Sequence, residues 1–263
     1  MNDIEIIPTE FNSADNVLRG NFVKPMGDGP FPGICKFHGF PGSADQVHGI
    51  ALTLARVGFL VLTFDFSGFR ASEGIFSLSG EIEDAKSAVT HLQNSYWAEK
   101  EWLGVYGASF GGAIAICSAV RDTRIKSICV RAPLYDTKRF TDSKLGELVM
   151  REIALDAPEE MHGVEDMADQ KRVLASVQND AEKFNPMNEI AMLSPRPIFI
   201  ITGDADALID VKGVTRLYQE GREPKELVIV KGADHNLSTD APRNETEQRV
   251  VEWFTVQRKH HPT

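Results

Sequence analysis

Three cysteines in 263 residues are too few and too widely spaced for a disulfide framework. Cys35, Cys117 and Cys129 lie in apolar surroundings, none in a turn beside a base. They read as free thiols of a reducing compartment, which excludes a cysteine metal cluster and disfavours a cysteine nucleophile. Positive charge is also scarce: 28 Lys and Arg against 38 Asp and Glu give a net charge of −10. That balance argues against nucleic acid or anionic membrane surfaces as main partners. No apolar run approaches the roughly 20 residues a membrane span needs. The opening Met1-Asn2-Asp3-Ile4-Glu5 has neither a basic nor an apolar region of a secretory signal, so a cytoplasmic location is expected. There is no internal repeat and no low-complexity tract.

Hydrophobic residues make up 42% of the chain and charged residues 25%, the balance of an ordinary globular protein, and the length suits one α/β domain. Residues 3–11 and 17–25 alternate as two strands around the polar turn Asn12-Ser13-Ala14-Asp15. Short apolar runs at 33–37, 59–64, 102–106, 125–130, 197–201 and 227–230 read as buried strands. Helical spacing falls at 45–57, 80–93, 113–120, 211–219 and 244–257. Strands apolar on both faces alternating with helices predict a mostly parallel central sheet flanked by helices. In such sheets, sites form beyond the carboxyl ends of strands. His38-Gly39, Asp65, Ser109, Asp206 and His235 each follow a strand.

Residues 133–190 break this rhythm, being too long for a simple connection. They hold 13 acidic and 7 basic residues, with Leu145, Leu148, Val149 and Ile153 at helical spacing and Val173, Leu174 and Val177 marking a second helix. The expected division is a core of 1–132 and 191–263 with a small helical cap, 133–190, folded over the sheet. Its acidity reads as a solvated outer face. Four of the seven methionines fall in it, and unbranched thioethers fill irregular apolar space. Leu148, Val149, Met150, Met161, Met167, Phe184 and Met187 are therefore candidates for a substrate pocket. The alternative is that the methionines fill gaps where cap meets core.

The densest chemical signal is Gly107-x-Ser109-x-Gly111, between the apolar run Trp102–Tyr106 and the small-residue run Ala113–Val120. A serine on such a strand–turn–helix is held in strained backbone geometry, and its hydroxyl points away from the sheet. Glycines on either side remove the Cβ atoms that would clash. The helix start adds free N–H groups and a positive dipole end. Read alone, the same pattern fits a glycine-rich turn with a solvated serine.

With its surroundings, the chain resembles the α/β-hydrolase superfamily over nearly its whole length, most closely small capped carboxylesterases of the feruloyl/cinnamoyl-esterase and monoacylglycerol-lipase kind. His38-Gly39-Phe40-Pro41-Gly42 is similar to the family's oxyanion loop. Asp65 to Gly74 is similar to its Asp-x-x-Gly-x-x-x-Ser-x-Gly loop, with Ser67 and Arg70 where Arg and Gly are common. Gly203-x-x-Asp206 and Ala233-Asp234-His235 resemble its acid and histidine loops. The resemblance implies Ser109 as nucleophile, His235 as base, Asp206 as its orienting acid, and the backbone N–H groups of Phe40 and Phe110 as oxyanion hole. Asp204 and Asp210 compete with Asp206, whose spacing from Gly203 matches the family. His38 precedes the serine and has a loop-shaping role in relatives. The implied activity is hydrolysis of a small-molecule ester through an acyl-enzyme, with no metal or organic cofactor. Alternatives on the same three residues are an acyl-CoA thioesterase or a peptidase or amidase. A hydrolase-fold binding protein without activity is the alternative from another class.

Overall fold

The computed structural model describes residues 3–41, 49–142 and 144–260. Its centre is an eight-stranded sheet in the order β1-β2-β4-β3-β5-β6-β7-β8. The strands are β1 (Ile4–Ser13), β2 (Asn16–Pro25), β3 (Phe31–Phe37), β4 (Leu60–Phe64), β5 (Ala98–Ala108), β6 (Ile125–Arg131), β7 (Ile198–Gly203) and β8 (Lys225–Val230). β1 and β2 form the expected hairpin. Its turn is tighter than the composition indicated, because Ala14 adopts φ 48° and leaves only Ala14 and Asp15 outside the ladder. β2 joins β4 antiparallel, and every later pairing is parallel.

The parallel strands are apolar on both faces because both are covered. On one face Leu60, Leu62, Leu103, Val105, Ile128, Val130, Ile198 and Ile200 belong to the larger core cluster. It is closed by α2 (Leu78–Asn94), α3 (Phe110–Arg121) and α8 (Val211–Glu220). On the other face Val61, Trp102, Tyr106, Cys129, Phe199 and Ile201 pack against α1 (Ile50–Arg56) and α9 (Asp240–Lys259). The odd–even alternation along each strand thus assigns side chains to two cores. The helix expected over 45–57 is present as α1, and the start of that expectation lies outside the described residues.

Between β6 and β7 run α4 (Lys138–Asp142), α5 (Leu145–Asp156), a 3₁₀ turn (Pro158–Glu160), α6 (Met167–Asp180) and α7 (Pro186–Glu189), then a second 3₁₀ turn (Ile190–Leu193). Asp166 caps α6 by accepting from the amides of Ala168 and Asp169. α4, α5 and α6 pack on one another, and α6 touches α2 where the Ser79 amide donates to Asp180. α7 and the turn after it lie back on α3, pinned by the Arg121–Glu189 ion pair.

Candidate active site

β5 ends at Ala108, and α3 begins at Phe110. Ser109 makes the whole turn between them, at φ 55° and ψ −120°. A non-glycine residue held there costs about 1–3 kcal/mol, so its surroundings must enforce it. The Ser109 amide donates to the Arg131 carbonyl (2.9 Å), and the Ser109 carbonyl accepts from Gly112 (3.0 Å) and Leu134 (2.9 Å). A Cβ at Gly107 would collide with the Gly111 carbonyl, and one at Gly111 with the carbonyls of Phe37 and His38. Both positions require glycine for close approach, as the motif implied.

Two further loops converge on Ser109. After β7, Asp206 accepts three hydrogen bonds: from the amides of Leu208 (2.9 Å) and Ile209 (2.8 Å) on Oδ1, and from His235 Nδ1 (2.7 Å) on Oδ2. Its side chain is 1% exposed. Burial pushes the carboxyl up, but the bonds from His235, Ile209 and Leu208 outweigh burial and hold it below the usual carboxylate range. After β8, His235 presents Nε2 at 3.1 Å from Ser109 Oγ. A carboxylate only accepts, so Nδ1 carries the proton and Nε2 is free to accept from the serine hydroxyl. Arg131 Nη1 donates to the His235 carbonyl (2.6 Å) and fixes the loop from below. The two loops meet because Gly203 lies flush against Ala233.

The competing residues have other partners. Asp204 accepts from the Gly232 amide (2.6 Å), and Asp210 caps α8 through Gly213 while accepting from Tyr135 Oη (2.7 Å). Asp234 accepts from the Ser238 amide (2.8 Å) and shapes its own turn. His38 is fully committed: Nδ1 donates to the Gly39 carbonyl (2.7 Å) and Nε2 accepts from the Phe66 amide (3.1 Å). Burial, aided by the Arg70 charge, lowers its pKa to about 3, so the ring is neutral at physiological pH.

Phe110 is the first residue of α3, so its N–H has no carbonyl within the helix to bond. Gly39 stands against Ser109, with its ideal Cβ position 3.2 Å from Ser109 Cβ, which places the following residue, Phe40, at the same opening. A cavity of about 510 Å³ opens at Ser109 and His235. Phe40, Phe110, Phe140, Leu134, Val149 and Ile153 make its apolar wall. Lys36 and Arg131 line it from the sheet side, Glu152 and Asp156 from α5. The rings of Phe40, Phe110 and Phe140 meet pairwise with centroids 5.1–5.5 Å apart. Among the described residues no group of His, Cys, Asp and Glu could hold a metal ion, and no helix is long and apolar enough to cross a membrane.

Of the seven residues expected in a substrate pocket, Val149 lines the cavity at Ser109 and the other six lie elsewhere. On α5 the residues facing it are Leu145, Val149, Glu152, Ile153 and Asp156, one stripe at helical spacing. A single position turns the side chain by about 100°. Leu148 is therefore 63% exposed, and Met150 is buried within the helical layer. Met167 opens α6 and is 72% exposed. Met161 is buried where its backbone bridges Phe69. Phe184 lies beneath the Arg121 guanidinium, and Met187 packs half-buried on the core. Met161 and Met187 thus fill joints between the inserted helices and the core. Phe140, Leu145 and Ile153 were missed as wall residues, although the stripe through Leu145, Val149 and Ile153 was visible as a periodicity.

Residues 78–260, more than half the chain, match the model of the prolyl oligopeptidase family. The chain belongs to that family. This prolyl oligopeptidase family member is 26% identical over 231 residues to the uncharacterised protein YfhR of Escherichia coli K12, covering 86% of this chain and 72% of that one. It superposes on the hypothetical protein PA2218 of Pseudomonas aeruginosa with a TM-score of 0.77, at 21% identity over 97% of this chain and 94% of that one. On the Pyrococcus furiosus esterase Pf2001 the TM-score is 0.72, at 22% identity over 96% and 91%. Sheet order, flanking helices and these superpositions make the family member an α/β hydrolase in fold.

Proposed function

We propose that this protein is a serine hydrolase that cleaves small carboxylic esters through an acyl-enzyme, with Ser109 as nucleophile, His235 as base and Asp206 as the acid that orients it. The observation that carries this reading is the unbroken line from Asp206 Oδ2 through His235 to Ser109 Oγ, at 2.7 and 3.1 Å, opening into an apolar cavity. An alcohol is too weak an acid to attack unaided, and His235 Nε2 accepts its proton as Oγ bonds to the ester carbon. The negative charge that develops on the carbonyl oxygen faces the N–H groups of Phe110 and Phe40. Collapse breaks the bond to the alkoxide, which takes the proton from His235. Water then repeats the sequence on the acyl group and returns Ser109. Asp206 keeps Nδ1 protonated and balances the imidazolium.

Peptide cleavage is the second reading, favoured by the description of the matched family. The same residues serve it, but an amide leaves less readily than an alkoxide. A thioester of coenzyme A is a further reading on the same residues: Glu152 and Asp156 repel its polyanionic head group on the α5 side of the cavity, while Lys36 and Arg131 attract it on the sheet side. The test is a fluorophosphonate label with peptide mapping, run beside p-nitrophenyl esters of graded acyl length and matched anilides. Ester turnover with the label on Ser109 is expected, and Ser109→Ala is expected to lose on the order of 10⁴–10⁶ in turnover. Anilides cleaved as fast as esters favour the peptidase; a folded protein that neither labels nor turns over is a binding protein.

A further inference from the structure

Arg70 stands where related loops commonly carry glycine, and its backbone keeps the φ a glycine would adopt, 43°. A long side chain at such a position is strained, so something must hold it there. Its guanidinium is nearly buried, with the side chain 10% exposed, and it ties its own loop, at Asp65, to two segments distant in sequence. Nη1 donates to Asp65 Oδ1 (3.0 Å), Nη2 to the Pro41 carbonyl (3.3 Å), and Nε pairs with Glu160 Oε2 (2.5 Å). The Arg70 backbone repeats the link: its amide donates to the Glu160 carbonyl (3.3 Å), and its carbonyl accepts from the His162 side chain at Nε2 (2.8 Å). Phe69 bridges Met161 beside it. The Pro41 carbonyl belongs to the residue directly after Phe40, one of the two proposed oxyanion donors. The same loop has a second fastening, His38 to Phe66, on the upstream side of Phe40. Phe40 is thus held between two ties, and only the Arg70 tie also grips the inserted helices.

Resting on the serine-hydrolase reading, we propose that Arg70 is a positioning residue that sets the Phe40–Pro41 turn for oxyanion binding and anchors that turn to the inserted segment through Glu160. A planar guanidinium can hydrogen-bond Asp65 and Pro41 at fixed angles while its charge pairs with Glu160, a contact that is an ion pair without hydrogen-bond geometry; an ammonium lacks that fixed fork. Displacing the Phe40 amide by about 1 Å weakens stabilisation of the tetrahedral oxyanion while leaving the apolar cavity that binds the ground-state ester in place.

The experiment compares wild type, Arg70→Met, Arg70→Lys and Glu160→Gln on one p-nitrophenyl ester and on a trifluoromethyl ketone, which forms a tetrahedral adduct with serine. Circular dichroism establishes that each variant is folded at the assay temperature. Arg70→Met is expected to lower kcat about 10- to 100-fold. KM should stay within about twofold, and ketone affinity should fall in parallel with kcat. Arg70→Lys should recover little, and Glu160→Gln, which keeps the Pro41 and Asp65 contacts, should lose less than Arg70→Met. If Arg70→Met does not fold, Arg70→Lys carries the same test. A folded variant that retains wild-type kcat and ketone affinity overturns the proposal, as does a loss confined to KM. Absence of a fluorophosphonate adduct on wild-type Ser109 overturns the underlying reading as well, and that outcome is separable because it appears before any substitution.

Discussion

At the scale of single residues, the site turns on which acid meets His235. Three aspartates stand within the loop after β7, but Asp206 alone of them bonds the imidazole, while Asp204 bonds the Gly232 amide and Asp210 caps a helix. Asp206→Asn presents an amide that cannot both hold Nδ1–H and balance an imidazolium. Turnover is expected to fall by three to four orders of magnitude, roughly 10³–10⁴-fold, whereas Asp204→Asn should stay within about tenfold. Steady-state rates on one ester separate the two, and the reverse ranking would transfer the acid to Asp204.

Among the elements, α2 carries an unusual burden. Glu81 and Asp84 lie one turn apart, both buried at 2% exposure. Asp84 is bonded by the Ser67 amide (2.8 Å) and hydroxyl (3.1 Å), so it shapes the loop after β4. Glu81 Oε2 has no hydrogen-bond partner among the described residues. Burial first, then the neighbouring Asp84 charge, raises the Glu81 pKa well above 4.5. The folded state therefore keeps a proton that the unfolded chain loses above pH 4.5, and stability falls as pH rises from there through the folded value. Glu81→Gln removes that dependence. Urea denaturation should find the variant more stable than wild type at pH 8 and the difference vanishing towards pH 4.5. An unchanged difference across that range would mean Glu81 is charged in the folded protein.

The inserted helices yield a second prediction at this scale. Phe140 on α4 touches the rings of both Phe40 and Phe110 and is 3% exposed. Phe140→Ala should lower stability by about 3–5 kcal/mol, and it should move the preference among p-nitrophenyl esters towards longer acyl or bulkier groups. Met167→Ala should change neither, since that side chain is 72% exposed and remote from the cavity wall. The two variants together show whether α4, rather than α6, selects the substrate. The expectation that methionines do so is replaced by one resting on Phe140, Val149 and Ile153.

For the whole molecule, the site depends on neighbouring strands ending together. β5, β6, β7 and β8 are parallel, and their carboxyl ends pair Ala108 with Arg131, Arg131 with Ile201 and Gly203 with Val230, so Ser109, Arg131, Asp206 and His235 emerge at one edge. The acid and histidine loops touch at Gly203, where a Cβ would collide with the Ala233 carbonyl. Gly203→Ala must part those loops. It should lower both melting temperature and turnover, with the crystal structure showing a His235–Asp206 distance longer than 2.7 Å. Full activity with a lowered melting temperature would show that the loops close by another route.

Local rules were enough to make much of this legible. Strands apolar on both faces required a covered parallel sheet, and Ser109 between two glycines required a tight turn. Each of Ser109, Asp206 and His235 followed a strand, which placed them at one edge of that sheet, while their grouping as a triad came from the resemblance to α/β hydrolases. These features depend on periodicity and on steric limits of a few adjacent residues, which any window of the chain carries. The rest needed distances between segments remote in sequence. Leu148 and Val149 are both apolar neighbours on one helix, and only the packing of α5 decided that Val149 faces the cavity. Asp204 and Asp206 are chemically identical; the spacing from Gly203 favoured Asp206 by resemblance, and the approach of β7 to the loop after β8 is the physical reason that it meets His235. Arg70 drew notice only as a departure from the usual loop. Its three partners lie at 41, 65 and 160, and a side chain's charge specifies that it needs a partner but not which segment will bring one.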